Sequence, residues 1–86
     1  MFYVYLIISD SGKKYIGYTT NLKRRISEHN EENGAKYTKN EKWELIYYEA
    51  FKSKNDAIRR ENQLKHHGGT KRSLLKRVSD SLRDLK

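Results

Sequence analysis

Residues 2–8, FYVYLII, are aromatic and β-branched without a single charge, a composition that predicts a strand. The next five residues, SDSGK, bring turn formers and a glycine able to take positive φ. Residues 14–19, KYIGYT, then predict the second strand of a hairpin. Opposed residues in a hairpin have position numbers with a constant sum, and side chains alternate between the faces. A sum of about 22 puts Tyr5, Ile7, Tyr15 and Gly17 on one face, whereas a bulge at the turn changes that register.

The period then lengthens. From Leu22 to about Glu32, Leu22 and Ile26 stand one helical turn apart on a core-facing stripe, with Arg25 and His29 on a neighbouring one. Thr20 or Asn21 is placed to cap this helix. NGAKYTKNEK, residues 33–42, is a polar loop, and WELIYYEAF, residues 43–51, is a third strand. Ser53 and Asp56 form a capping-box-like start to a second helix, with Asp in place of the usual Glu or Gln. Gly68 and Gly69 are expected to end it. Thr70 then caps a third helix whose Leu74, Leu75, Val78, Leu82 and Leu85 make an apolar stripe. The order is ββαβαα, an α/β chain of the α+β type in which a small sheet is covered by helices.

One position breaks the pattern. Ala57, Glu61 and Leu64 share a stripe by their i, i+4, i+7 spacing, so a carboxylate lies on the side of the second helix that faces the sheet. A buried charge is costly unless it is paired or binds a metal. Two readings stand at this point: an edge glutamate paired with Arg60 or with an arginine of the first helix, or a metal ligand.

Composition narrows the partners. With 86 residues, a single domain over residues 1–86 is expected. The 19 Lys and Arg against 11 Asp and Glu leave a formal charge of +8, which favours polyanions through counterion release. The surplus is concentrated between residues 54 and 77, where Lys54, Arg59, Arg60, Lys65, Lys71, Arg72, Lys76 and Arg77 face only Asp56 and Glu61. Cysteine is absent, which excludes disulfides and thiolate metal sites. The apolar start, MFYVYLII, has neither a basic n-region nor a small-residue cleavage site and does not read as a signal peptide. No apolar run approaches the ~20 residues of a bilayer span, so a cytoplasmic protein without a membrane association is expected.

The ordered set YVY at 3–5, YIG at 15–17, Arg25 in the first helix and Glu61 in a later one resembles the GIY-YIG nuclease family. The likeness extends over residues 2–67 and is nearest the small stand-alone members, in which the GAKYT loop (34–38), the EL-Y-E strand (44–49) and the A-RRE-LK helix (57–65) recur. It implies a three-stranded antiparallel sheet flanked by helices and phosphodiester hydrolysis assisted by one divalent ion, Mg²⁺ or Mn²⁺. Carried over by position, Tyr5 and Tyr15 match the tyrosines of the two motifs and Gly17 the glycine of the second. Arg25 matches the helix arginine, His29 a position that carries His or Tyr, and Glu61 the metal-binding glutamate.

The residue types suit that chemistry. Cleavage needs an activated water, charge stabilisation at the phosphorus and help for the leaving oxygen. Glu61 is a hard oxygen ligand for Mg²⁺, whose shell waters and a phosphate oxygen complete. Arg25 offers a planar fork of donors with a permanent charge. Tyr15 or Tyr5 can orient or deprotonate the water, but a free phenol has a pKa of about 10, so a base role requires a neighbouring cation. His29, with an ordinary value of about 6.5, can relay a proton or touch a phosphate. Gly17 leaves room for a close approach of the substrate backbone, or else marks a bulge. Arg24 is an exposed twin of Arg25, and Lys36, Tyr37 and Lys39, with Thr38, Lys42 and Trp43, combine cations and aromatics suited to phosphates and stacked bases. Trp43 is alternatively a core residue.

There are two departures, the first of which keeps the tyrosine that matters chemically. Tyr3 and Val4 stand where the family name has Gly and Ile, and Tyr18 follows YIG where some relatives carry a lysine. With no appended DNA-reading module, selectivity is expected to be low, structural or partner-supplied. The leading expectation is a metal-dependent, structure-selective DNA endonuclease. The alternatives are a non-catalytic nucleic-acid-binding module of the same fold and a protein-interaction domain using the C-terminal amphipathic helix.

Overall fold

The computed structural model describes residues 1–30 and 41–83. Three strands, β1 (Phe2–Ser9), β2 (Lys14–Thr19) and β3 (Trp43–Phe51), form an antiparallel sheet in the order β2-β1-β3. The helices are α1 (Leu22–Asn30), α2 (Lys54–His66), α3 (Gly68–Arg77) and α4 (Ser79–Arg83). The hairpin register is the expected one, with Tyr5 opposite Gly17 and Ile7 opposite Tyr15. It runs unbroken through Gly17, so that glycine marks no bulge. The irregularity lies on the other edge, between Leu6 and Ile7, where Leu6 pairs with Tyr47 and Ile7 with Leu45. Gly12 takes φ 91° in the turn, and the Ser9 hydroxyl closes that turn by accepting from the Lys13 amide at 3.0 Å.

The uninterrupted apolar run of β1 has a cause: its two faces are both covered. Val4, Leu6 and Ile16 pack against Ala57, Leu64, Leu74 and Val78 of the α2–α3 layer. Tyr5, Ile7 and Trp43 pack with Leu22 and Ile26 of α1 on the opposite face. Trp43 is therefore core rather than a surface stacking residue.

Local signals set most boundaries. Asn21 caps α1, its Oδ1 accepting from the Arg24 amide at 3.1 Å. The Ser53 hydroxyl accepts from the Asp56 amide at the start of α2. The far end of α2 departs from expectation. Gly68 and Gly69 do not terminate it; they open α3, and the break is made by His67 in an extended conformation, φ −118° and ψ 97°. A break of this kind needs no positive φ, so the glycines are not required for it. Thr70 accordingly lies within the first turn of α3 rather than at its cap. The expected third helix divides at Val78 into α3 and the short α4, while Leu74, Leu75, Val78 and Leu82 all reach the core. Glu31, Glu32 and Leu85 lie outside the described residues. Among the described residues no helix is long and apolar enough to cross a membrane.

Candidate active site

The site is built on the α1 face of the hairpin. Tyr5 stands at the centre of β1, and its ring lies across Gly17: a Cβ added there would come 2.3 Å from the phenol oxygen. The space beside Gly17 is therefore filled by Tyr5, which corrects the expectation of room for a substrate backbone. The Tyr5 hydroxyl is 2.8 Å from His29 Nε2, and both side chains are essentially inaccessible to solvent. Tyr15, half-buried on β2, packs edge-on to His29 at 5.1 Å between ring centroids. Trp43 closes the cluster, 6.4 Å from Tyr15 and 6.5 Å from His29.

Arg25 follows from the helix period: one turn before His29, its guanidinium lies near enough to the Tyr5 hydroxyl for its charge to favour the ionised phenol. It pairs with Glu28 Oε1 at 3.1 Å. Either partner can donate in the Tyr5–His29 bond, according to which imidazole nitrogen carries the proton. Burial lowers Arg25's affinity for its proton, but the neighbouring Tyr5 and Glu28 outweigh it and raise its pKa.

The titration of the pair separates the candidates. Burial pushes the Tyr5 phenol up to about 12, with the Arg25 guanidinium opposing it. Burial, followed by the charge of Arg25, lowers His29 to about 4. His29 is thus neutral at physiological pH and does not act as a relay titrating near its ordinary value. Tyr5 is a locked, protonated phenol. Of the two tyrosines, only Tyr15 retains a partly open side.

This has a measurable consequence. The unfolded chain takes up a proton at the ordinary histidine value, whereas folded His29 holds out to about 4. The stability it contributes is complete above the ordinary value and is lost as pH falls through that window. Urea unfolding should show a loss of about 2 kcal/mol between pH 7.5 and pH 5. An unchanged midpoint over that range would mean that His29 is not held neutral.

Glu61 arrives from the opposite layer. α2 packs across β2, and Glu61 lies at that margin, with its side chain 19% exposed and Oε2 3.2 Å from Lys65 Nζ. Its partner is a lysine one turn on, not the arginine expected from the sequence. Arg60 instead grips Glu49 through Nε and a terminal nitrogen, both at 2.9 Å. Lys65 Nζ also stands 5.4 Å from the centroid of the Tyr15 ring. The cation thereby ties the carboxylate of α2 to the tyrosine face. Glu61 is close enough to Tyr5 for its charge to contribute to the raised phenol value.

Tyr5, Tyr15, Arg25, His29 and Glu61 thus converge, whereas Arg24 points to solvent, 3.8 Å from Glu28. Lys36, Tyr37 and Lys39, together with Thr38, lie outside the described residues. Two residues escaped the sequence reading. Lys65 follows Glu61 at i+4, the spacing that puts both on one stripe. Asn30 accepts from the Trp43 amide at 2.6 Å and donates to its carbonyl at 3.0 Å, pinning the end of α1 to β3. A terminal helix asparagine is the signal for such a clamp, but its partner is not readable from the sequence. A cleft at the β1–β2 turn, between Asp10, Asn30, Lys42 and Leu82, contains none of the site's ionisable groups.

The fold and this convergence match a known class. The chain belongs to the family described as the GIY-YIG catalytic domain, a family of nucleases, whose model matches residues 1–74. It is similar to a UPF0213 protein of Staphylococcus haemolyticus, 47% identical over 73% of this chain and 78% of the relative. A UPF0213 protein of Pediococcus pentosaceus is 40% identical over 99% of this chain and 92% of the relative. The solution NMR structure of the UPF0213 protein BH0048 from Bacillus halodurans superposes with a TM-score of 0.57 at 35% identity, covering 100% of this chain and 98% of that one.

Proposed function

We propose that this protein is a divalent-metal-dependent endonuclease that hydrolyses DNA phosphodiester bonds and selects its substrate by structure. The observation that carries the reading is the convergence of Tyr15 from β2, Arg25 from α1 and Glu61 from α2 on one edge of the sheet. In it, the Arg25 fork binds phosphate oxygens and stabilises the charge that builds on them. Tyr15, the more accessible phenol, orients the attacking water. Tyr5 and His29, buried and hydrogen-bonded to each other, form the floor against which the Tyr15 ring packs.

Glu61 suits a hard divalent cation. Among the described residues, no three His, Cys, Asp or Glu side chains gather into a metal cage. A single carboxylate completed by waters and substrate oxygens is the arrangement Mg²⁺ commonly takes. The carboxylate already faces a cation, the Lys65 ammonium. When bound, the ion supplies Lewis acidity at the phosphate and lowers the pKa of a coordinated water. The formal charge of +8 supports a DNA partner.

The test is incubation with labelled duplex, single-stranded, flap and four-way-junction DNAs in Mg²⁺ or Mn²⁺, beside EDTA controls. Cleavage of a preferred structure, lost in EDTA, is expected. The Lys65–Glu61 pair is also what a fold without catalysis would carry. Salt-sensitive binding with no cleavage of any substrate would favour that non-catalytic module.

A further inference from the structure

Lys65 has no role in the scheme above, yet its ammonium stands between two of the scheme's groups. It lies 3.2 Å from Glu61 Oε2 and 5.4 Å from the Tyr15 ring centroid. An i, i+4 Glu–Lys pair on a solvated helix contributes little to stability and requires no function. This pair differs from that case in two respects. Its side chains are only 36% and 19% exposed. Its cation is also held at cation–π range of an aromatic face on another element. The ammonium therefore sits at the carboxylate to which the divalent ion is assigned.

We infer that Lys65 is the resident counter-ion of Glu61, exchanged for the divalent cation only as a DNA phosphate enters, so that metal loading and DNA binding are coupled. The inference rests on Glu61 being the metal ligand. Its basis is charge. In the protein alone, Lys65 balances Glu61 and Arg25 balances Glu28. A divalent ion added to that set meets two cations and two carboxylates, each carboxylate already paired. A phosphodiester brings a negative charge and oxygen ligands, and it gives the displaced ammonium a new partner. Linkage then requires the reverse effect: the metal tightens DNA binding by the same factor. Lys65 is in these terms a positioning residue, holding Glu61 turned toward the Tyr15 edge until the exchange.

Mn²⁺ binding to the full chain, read by the electron paramagnetic resonance of the unbound ion, tests this without any cleavage measurement. Titrations with and without a duplex oligonucleotide are run on wild type, Lys65→Met and Lys65→Gln. Binding is counted as the excess over the Glu61→Gln protein, which also removes the ions taken up by DNA alone. DNA is expected to tighten Mn²⁺ binding to wild type by about tenfold or more. In both Lys65 variants, affinity without DNA should rise several-fold and the effect of DNA should shrink to about threefold or less. Circular dichroism establishes that each variant is folded, and two side chains of different polarity guard against one folding failure. Lys65 variants that bind Mn²⁺ no better than wild type without DNA would overturn the inference. So would a wild-type affinity indifferent to DNA, even though Glu61 would remain a ligand. Equal uptake by wild type and Glu61→Gln would remove the ligand assignment itself, and the inference with it.

Discussion

Glu61→Gln is expected to reduce DNA cleavage by about a thousandfold or more while leaving DNA affinity, measured without divalent ion, within about threefold. Metal-assisted charge stabilisation contributes several kcal/mol to such reactions, and each 1.36 kcal/mol is a factor of ten. Glutamine keeps the shape of the side chain and its place on α2, and loses only the charge. The fold should be nearly indifferent, since the glutamine oxygen can still accept a hydrogen bond from the Lys65 ammonium. Affinity depends on the basic surface as a whole, and removing one negative charge beside a phosphate does not weaken it. Arg25→Ala should act comparably on the rate, since a lost donor to a developing oxyanion typically costs ~10²–10³. It also removes the pair with Glu28, so some loss of stability accompanies it. Arg25→Lys keeps the charge without the fork and should recover only part of the activity. Single-turnover cleavage alongside filter binding separates the two effects. If both the Glu61 and Arg25 variants cut at the wild-type rate, the site is assigned wrongly.

Gly17→Ala should be the most damaging small substitution in the hairpin. The new methyl would stand 2.3 Å from the Tyr5 oxygen and 2.4 Å from the ring carbon that bears it. Neither strand can give way readily, because the register is continuous on both sides of the pair. The Tyr5 ring must move, and its hydrogen bond to His29 goes with it. Overpacking costs ~1–3 kcal/mol, and a buried hydrogen bond adds roughly 1. Thermal unfolding should drop by on the order of 10–20 °C for a domain of this size. If the glycine instead served the approach of DNA, the variant would melt like wild type and lose only binding.

The parts of the fold that were legible follow from local pattern. The aromatic run of β1, the turn glycine and the constant-sum rule fixed the shared face of Tyr5, Ile7, Tyr15 and Gly17 correctly. Asn21 and Ser53 marked two helix starts through side-chain capping. What failed depended on tertiary context. The double glycine looked like a helix stop, but His67 makes the break by turning extended, which leaves no compositional trace. The ion pairs were ambiguous for the same reason. Arg60 is adjacent to Glu61 in sequence yet is drawn to Glu49 across the layer, so Lys65 becomes the partner of Glu61. His29 read as a proton relay with its ordinary histidine value because nothing local reveals that Tyr5 and Trp43 pack against it. The site was thus readable as a set of residues, while their electrostatic states were not.

The order β2-β1-β3 also bears on how the chain acquires its structure. β1 is the middle strand, yet one of its neighbours is adjacent in sequence and the other begins only at Trp43. During synthesis the hairpin can close early, with apolar side chains on both faces and one ladder of β1 unmatched. At typical elongation rates β3 follows after roughly a few seconds. Until then the most apolar segment of the protein presents an open edge, the feature that invites pairing with another chain. Late contacts of this kind slow folding. The layer that carries Glu61 is made later still, so the intermediate most exposed to aggregation is also one without its metal-ligand candidate.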